Sequence, residues 1–413
     1  MMGRDRMEQP GNPAESGPPG TIPPDGPGTK LWRYRRRLGL PELVSLGVGG
    51  TIGSGIFVVP GIAAGIMGPL SLIAWVIVAA SATCVMLSLA WLGPLFGGRG
   101  TFYRIFSSVF GGKASSFLVM LYLAAGIFGT ATIAAGIGQY LSYFGVGALL
   151  AAELVIIAAF CGINIAGVSL SGTAENLLTA LKVIPLVIIA LVLVPAIRPG
   201  NLAPTIPVTA AGLLSTILIV YWPFTGFEIS AIPVDEVRDP ALVSRSLILV
   251  MALVSALYLL LNLSLIGAAG SSALASSPAP IASAVALLMG NAGTLVAVIG
   301  IIAMLSAINA YLLGSSRVLH HLASAYHVPR FRDLNRRGTP ALAIVLIGSA
   351  SAATLLLSNQ FATLAVLSVA ATLVPYIGFC AAAALRVQGA LRKAVACAGA
   401  ASSALILIFS LFW

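Results

Sequence analysis

The sequence predicts an all-α, polytopic membrane protein with about eleven transmembrane helices, the first and sixth of them broken. Three observations predict it. Hydrophobic residues are 59% of the 413 and charged residues only 8%, with a mean hydropathy of +1.02, whereas an ordinary soluble domain carries about 25% charged residues. Apolar stretches of bilayer-spanning length recur along nearly the whole chain. Glycine and proline interrupt two of those stretches where a membrane helix should run on.

A span needs about 20 apolar residues. On that length, spans fall at roughly 43–66, 69–95, 114–143, 147–169, 174–197, 210–232, 243–269, 281–324, 340–358, 361–385 and 391–412. The third and eighth exceed a bilayer's thickness and are expected to tilt or project into the cytoplasm. Residues 1–38, rich in Pro and Gly at their start, read as a disordered cytoplasmic tail ahead of one transmembrane domain, 39–413. The basic LWRYRRR run could mimic a signal peptide, but the segment behind it is too long and too glycine-broken for cleavage.

The net charge of +10 invites a nucleic-acid partner, but its distribution decides against one. Once the spans are placed, 20 of the 22 Lys and Arg fall on one side of the membrane; Arg198 lies on the other side and Lys182 within a span. That asymmetry sets the N-terminus as cytoplasmic and, with an odd number of spans, Trp413 as external. Cys84, Cys161, Cys380 and Cys397 sit in apolar runs and read as small hydrophobes, not as disulfides or metal ligands.

The first span carries GVGGTIGSGIFVVP, with Gly47, Gly49, Gly50, Gly53 and Gly55 in nine positions. Each interior glycine costs a helix about 1 kcal/mol relative to alanine. Freed backbone groups in a bilayer have no water to turn to, so a break is tolerated only inside protein or along a cavity. The break is expected at Gly53-Ser54-Gly55. The other reading, glycines for close helix packing, loses ground to the sixth span, LLSTILIVYWPFTGFEISAI, where Pro223 removes a donor and Gly226 follows. Interrupted spans at corresponding places in two halves point to an inverted-repeat transporter (LeuT-like, 5+5) with its site at the midplane. The halves are expected at about 43–197 and 210–385, with 391–412 as an extra helix. No clear residue-level repeat links them.

These residues resemble the amino acid–polyamine–organocation (APC) transporter family, and amino acid permeases within it. GVGGTIGSGIFVVPG looks like that family's first helix and FGGRGTFYRIFSSVFG (96–111) like the loop after its second. NLLTALKVIPLVI (176–188) resembles its fifth helix, FTGFEISAIPVDEVRDP (224–240) its sixth helix and following loop, and GSSRVLHHLASAYHVPRFRDLNRRGTP (314–340) the end of its eighth. Five motifs in the family's order make the match. The departures are eleven spans where twelve are common, and FGGRGTFY without the usual proline and acidic residue before it.

The chemistry follows from the breaks. The helix half beyond the first break starts with exposed N–H groups and a positive dipole end, so the backbone around Ser54, Gly55 and Ile56 can hold a carboxylate. Carbonyls around Trp222, Phe224 and Thr225 can accept bonds from an α-ammonium, and Ile52, Gly53 and Gly226 are expected in the same substrate site. The two together would cradle a zwitterion without a fixed charged side chain, and the resemblance implies the same site. Trp222 aligns with an aromatic that contacts the substrate side chain in one exchanger of the family; packing is its other reading. Tyr311 matches a position often aromatic in the family, either a pocket wall or core.

Lys182 is the one basic residue well inside a span. Burial disfavours its charge, so it can take up and release a proton; the resemblance implies proton coupling there in place of sodium. A partly snorkelling stem is the other reading. Glu228, just past the sixth-span break, is a gate or proton-relay residue or a carboxylate tied to neighbouring helices. Glu153 reads as interfacial, Asp235, Glu236, Arg238 and Asp239 as a loop of structural salt bridges. His320, His321 and His327 lack metal-ligand or triad spacing, and neither a cofactor nor a metal is expected.

The function these readings predict is proton-coupled uptake of neutral amino acids across the plasma membrane, with an amino acid, protons and the lipid bilayer as partners. An exchanger or exporter of amino acids or amines is the second reading. An intramembrane enzyme would need catalytic groups clustered at one depth, and only Lys182 and Glu228 are deep; a sensor or channel on the same fold remains the third.

Overall fold

The computed structural model describes residues 38–93, 100–167, 172–204, 207, 209–232, 237, 239, 241–326 and 328–411. The expected tail apart from Leu38, the loop residues Asp235, Glu236 and Arg238, His327 and Trp413 lie outside the described residues. In chain order the helices are α1 (Leu40–Thr51), α2 (Ser54–Met67), α3 (Ser71–Leu92), α4 (Thr101–Tyr143), α5 (Leu149–Ile165), α6 (Gly172–Leu193), α7 (Ala210–Tyr221), α8 (Ala241–Ala269), α9 (Ser271–Ala275), α10 (Pro280–Met289), α11 (Ala292–Ala325), α12 (Pro329–Arg332), α13 (Ala341–Leu357), α14 (Phe361–Arg386) and α15 (Ala390–Ser410). Two 3-10 turns, Trp222–Phe224 and Phe227–Ala231, follow α7.

Eight stretches among the described residues are long and apolar enough to cross a bilayer. The first, Leu40–Leu92, turns at Gly68 (φ 56°) and Pro69 and so supplies two crossings. Two shorter apolar helices of 17 residues each, α5 and α13, raise the number of crossings to eleven. The first five crossings end with α6, the second five run from α7 to α14, and α15 is left over. The broken first and sixth crossings meet in the middle, where α1 packs on Phe227–Ala231 and α2 on α7. This is the 5+5 inverted-repeat transporter fold.

Three details differ from the sequence expectation. The eighth span does not run 281–324: Gly290 (φ 57°) ends α10, and α11 starts at Ala292. Its surplus length is a separate short helix, and α9 and α10 lie on α2, where Gly61 lets the Leu274 carbonyl and Pro280 approach. The third span begins earlier, at Thr101, and Gly111 (φ 77°, ψ 171°) kinks it. The first break falls at Ile52–Gly53; Ser54 and Gly55 already belong to α2.

Polar side chains close the helix ends that packing leaves open. The Gly39 N–H donates to the Glu42 carboxylate (2.8 Å) in the first turn of α1, a favourable place for negative charge. Thr209 accepts from the Gly212 N–H at the start of α7, and Asp239 from the Ala241 N–H at the start of α8. At the C-terminus of α5, Asn335 Nδ2 and Thr339 Oγ1 donate to the Ile165 carbonyl (2.9 and 3.2 Å), and Arg337 donates to that of Ala166 (3.0 Å). Asn335 Oδ1 also accepts the Arg337 and Thr339 N–H groups, which fixes the clamp's own turn. The four cysteines are free thiols.

Asn335→Ala should therefore lower the stability of the purified protein by about 1–3 kcal/mol, since it orphans two N–H groups and removes one donor from Ile165. The measurement is thermal unfolding in detergent; an unchanged midpoint would mean the clamp is dispensable.

Candidate functional site

The break between α1 and α2 leaves the last carbonyls of α1 without helical partners. Side chains from two other helices, α6 and α8, take them. Lys182 Nζ, on α6 and 1% exposed, donates to the carbonyls of Gly49 (2.9 Å) and Ile52 (3.3 Å) and to Ser306 Oγ on α11 (3.3 Å). Tyr258 on α8 donates its hydroxyl to the Thr51 carbonyl (3.0 Å), which also accepts the Gly53 N–H. One turn back, Thr179 on α6 donates to the Ser45 carbonyl (3.1 Å). An ammonium has three donors, and three acceptors from two helices lie within reach of Lys182. Its charge sits at the negative end of the α1 dipole. The snorkelling reading is overturned: the side chain points into the bundle.

Beyond the break, α2 opens with the N–H groups of Ser54, Gly55 and Ile56 at its positive end. The Ser54 hydroxyl accepts from the Trp222 indole N–H (3.3 Å). Gly55 permits the closest approach: a Cβ there would lie 2.6 Å from Pro223 Cα. The two breaks thus touch directly, backbone against backbone.

The sixth crossing satisfies itself differently. Pro223 ends α7, Thr225 is extended (φ −86°, ψ 162°), and Gly226 is left-handed (φ 95°). A Cβ on Gly226 would meet the Gly50 carbonyl oxygen at 2.6 Å, so only glycine fits both the backbone and the contact. The Trp222 carbonyl already accepts from the Thr225 N–H (3.1 Å) and Oγ1 (2.8 Å), so it is not free for an ammonium, contrary to the sequence reading. The carbonyls of Phe224 and Thr225 carry no such bond among the described residues. The Phe224 ring turns away from the cradle, 6.0 Å from Trp75 and 5.3 Å from Tyr258.

Trp222 and Tyr311 form one wall, with ring centroids 5.9 Å apart, and the Thr225 and Tyr311 hydroxyls are 3.3 Å apart. Gly129 of α4 lies under both rings and Gly136 against Ser54. Glu228, 3% exposed, accepts from the Gly226 N–H (3.1 Å) and the Tyr376 hydroxyl (2.7 Å), and Tyr122 faces the same carboxylate. A small cavity lined by Tyr122, Glu228, Tyr311, Ser315 and Thr372 lies beside it.

The structure therefore brings Ser54, Trp222, Thr225 and Tyr311 together, places Gly226 beside Glu228, sets Lys182 against the Gly49 and Ile52 carbonyls, and packs Gly53 on Ala307 of α11. Gly55 and Ile56 lie in the first turn of α2, and Ile56 is fully buried. Tyr258, Ser306, Tyr122 and Tyr376 were missed. Each is a polar residue in an apolar run, and only Pro375 next to Tyr376 gave a local signal. Glu153, near the start of α5, is buried in the bundle: it is 3% exposed, with Oε1 against Gly138 of α4. His320 and His321 lie side by side (5.8 Å), and among the described residues no His, Cys, Asp and Glu group could hold a metal.

Two broken helices in contact at mid-membrane, each with uncommitted backbone groups, define a membrane transporter of the inverted-repeat class. The family model described as amino acid permease matches residues 38–413, and the chain belongs to that family. It is similar to the inner membrane transport protein YbaT of Escherichia coli (28% identical over 325 residues, 75% of each chain). It is also similar to the aromatic amino acid transport protein AroP of Corynebacterium glutamicum (27% over 333 residues, 74% of this chain and 70% of that one). A third relative is the L-methionine/branched-chain amino acid exporter YjeH of Escherichia coli (27% over 211 residues, half of each chain).

Gly226→Ala should be destabilising by about 1–3 kcal/mol from the left-handed backbone alone, with the Gly50 contact added. Fluorescence-detected size exclusion after heating measures it; a variant as heat-resistant as wild type would refute the contact.

Proposed function

We propose that this chain is a secondary transporter that carries neutral amino acids inward with protons, by alternating access. The observation that carries the reading is the bridge from Lys182 on α6 to the broken end of α1 and to Ser306 on α11. A protonated Lys182 grips both helices with three donors. A neutral amine has fewer donors and loses its attraction to the negative helix end, so α1 is freed to swing away. The proton thus acts on the helix that forms one side of the cradle.

The cradle itself supports a zwitterionic substrate. The α2 N–H groups of Ser54, Gly55 and Ile56 suit a carboxylate, whereas those of Ile52 and Gly53 before them are taken by the Val48 and Thr51 carbonyls, and the Phe224 and Thr225 carbonyls beside Gly226 suit an ammonium. Trp222 and Tyr311 border the side-chain space. Glu228 is the acid nearest that space and is engaged by Gly226 and Tyr376, which favours neutral over cationic substrates and gives Glu228 the role of a gate between cradle and cytoplasm. The site would lie in a plasma membrane, with residues 1–38 cytoplasmic and 391–412 outside the two repeats. A second reading is an exchanger or exporter, favoured by the exporter among the relatives.

Uptake into proteoliposomes with an imposed pH step separates these readings. Wild type should accumulate neutral amino acids with the step and without sodium. Lys182→Ala should lose accumulation while substrate binding falls less than about tenfold, because the cradle is elsewhere. Uptake that ignores the pH step would leave the exchanger reading standing.

The fold orientation is tested separately. Reporters fused after Trp413 should be active only on the outer side, given the Lys/Arg asymmetry; cytoplasmic activity would overturn the orientation.

A further inference from the structure

One buried acid lies outside the site described above. Glu153 stands one turn into α5 and is 3% exposed. Its Oε2 is buried without a hydrogen-bond partner, and no charged group pairs with the carboxyl among the described residues. The seat is shaped for that carboxyl: a Cβ on Gly138 of α4 would collide with Oε1 and lie 2.9 Å from Cδ. The helices packed on α5 are α4, α11 and α13. α13 carries no titratable residue. At the other end of α5, Asn164 bonds Asn309 of α11 (2.9 Å), and Arg317, His320 and His321 lie beyond that point. Arg104 and Lys113 are likewise at the far end of α4. Of the tyrosines on either side of Gly138, Tyr122 and Tyr311 line the Glu228 cavity, Tyr140 donates to the Phe57 carbonyl (2.9 Å) and Tyr143 packs on Phe144.

We propose that Glu153 is a proton-binding site between α4 and α5, occupied while the two helices pack in this way, and that its proton controls how α4 holds α2. An isolated ionised carboxylate in apolar surroundings costs far more than the neutral acid, whose remaining cost is that of one hydroxyl. A metal ion would need several more oxygen ligands; a proton needs only the carboxyl itself. The consequence runs through α4. Gly136 lets Ser54 approach, since a Cβ there would lie 2.6 Å from Ser54 Cβ, and Tyr140, four residues on, holds the Phe57 carbonyl. Those two share the face turned to α2, and Gly138, midway between them, lies on the other. Loss of the proton leaves a carboxylate that must reach water, so it leaves Gly138 and parts α5 from α4. α4 then shifts where it supports the start of α2. In the orientation proposed above this site lies towards the outer side, so it responds to external pH separately from Lys182 on α6. The link to α2 rests on the reading of the cradle above; the proton site does not.

Infrared spectroscopy of the full chain in lipid vesicles tests the site. The C=O stretch of a protonated carboxyl is expected at neutral pH. Part of it should be lost in Glu153→Gln and in Glu153→Met, and that part should survive Glu228→Gln. Both replacements are neutral, so the seat should accept at least one of them. A band the same in wild type and in the folded variants, or failure of both to fold, overturns the site whatever is transported. The link to the cradle is tested by counterflow of a labelled mixture of neutral amino acids, at equal pH inside and outside. The rate of the folded neutral variant relative to wild type should rise with pH, by up to about tenfold per unit, the limit for loss of one proton. A flat ratio overturns the link. Counterflow by neither chain overturns the transport reading instead, and the infrared result still decides the site.

Discussion

The structure depends on satisfying the backbone that α1 gives up at Ile52–Gly53. A break in a membrane helix exposes carbonyls to a medium that cannot bond them, at a cost of several kcal/mol each. Here the donors come from elsewhere in the bundle: Lys182 from α6 and Tyr258 from α8, with Ser306 of α11 sharing the ammonium. The solution converts a local defect into a junction. Two helices, α6 and α8, hold the end of α1 by directional bonds, and α11 joins them through Lys182, so any change in those bonds is felt by all.

The second break is handled by its own neighbours. Thr225 closes back on the Trp222 carbonyl, and Glu228 takes the Gly226 N–H. Such local closure leaves few groups free, and that selects the chemistry. What remains is the start of α2, which offers N–H groups and a positive dipole end, and the carbonyls of Phe224 and Thr225. One side suits an anion and the other a cation, without a fixed charge on either side chain. That pairing is what supports the zwitterionic substrate proposed above.

Much of this was legible in the sequence because glycine, proline and charge are expensive in a membrane helix. Gly53 and Gly55, Pro223 with Gly226, and the lone Lys182 each broke a rule of apolar spans, and each marks a real feature. The exact first break was misplaced by one or two residues, since a run of five glycines offers several places to unwind and only packing chooses among them. Gly290 within the eighth span was one glycine in a long apolar run, and nothing local told a turn from close packing. Tyr258 and Tyr376 were invisible for a different reason. A hydroxyl in an apolar run acquires meaning only from the helix opposite it, and their partners, Thr51 and Glu228, lie 207 and 148 residues away. The committed state of the Trp222 carbonyl was hidden likewise, because it depends on the conformation of Thr225.

Two different sets of contacts hold the region of the first break. In one, Lys182 holds Gly49 and Ile52. In the other, Gly50 packs on Gly226, and just past the break Gly55 packs on Pro223, at distances no larger residue could tolerate. The glycine contacts are non-directional and cheap to part, since they break no hydrogen bond. The lysine contacts are directional, and their strength depends on one proton. A half-helix gripped firmly by one set and loosely by the other will follow the firm set. In the mechanism proposed above, opening the cradle parts glycine from backbone, while the charge on Lys182 decides whether α1 is held or released. A substrate seated between the breaks would compete with the glycine contacts and not with the lysine. Substrate and proton would then act on the same half-helix through separate contacts, the arrangement that coupling two binding events requires.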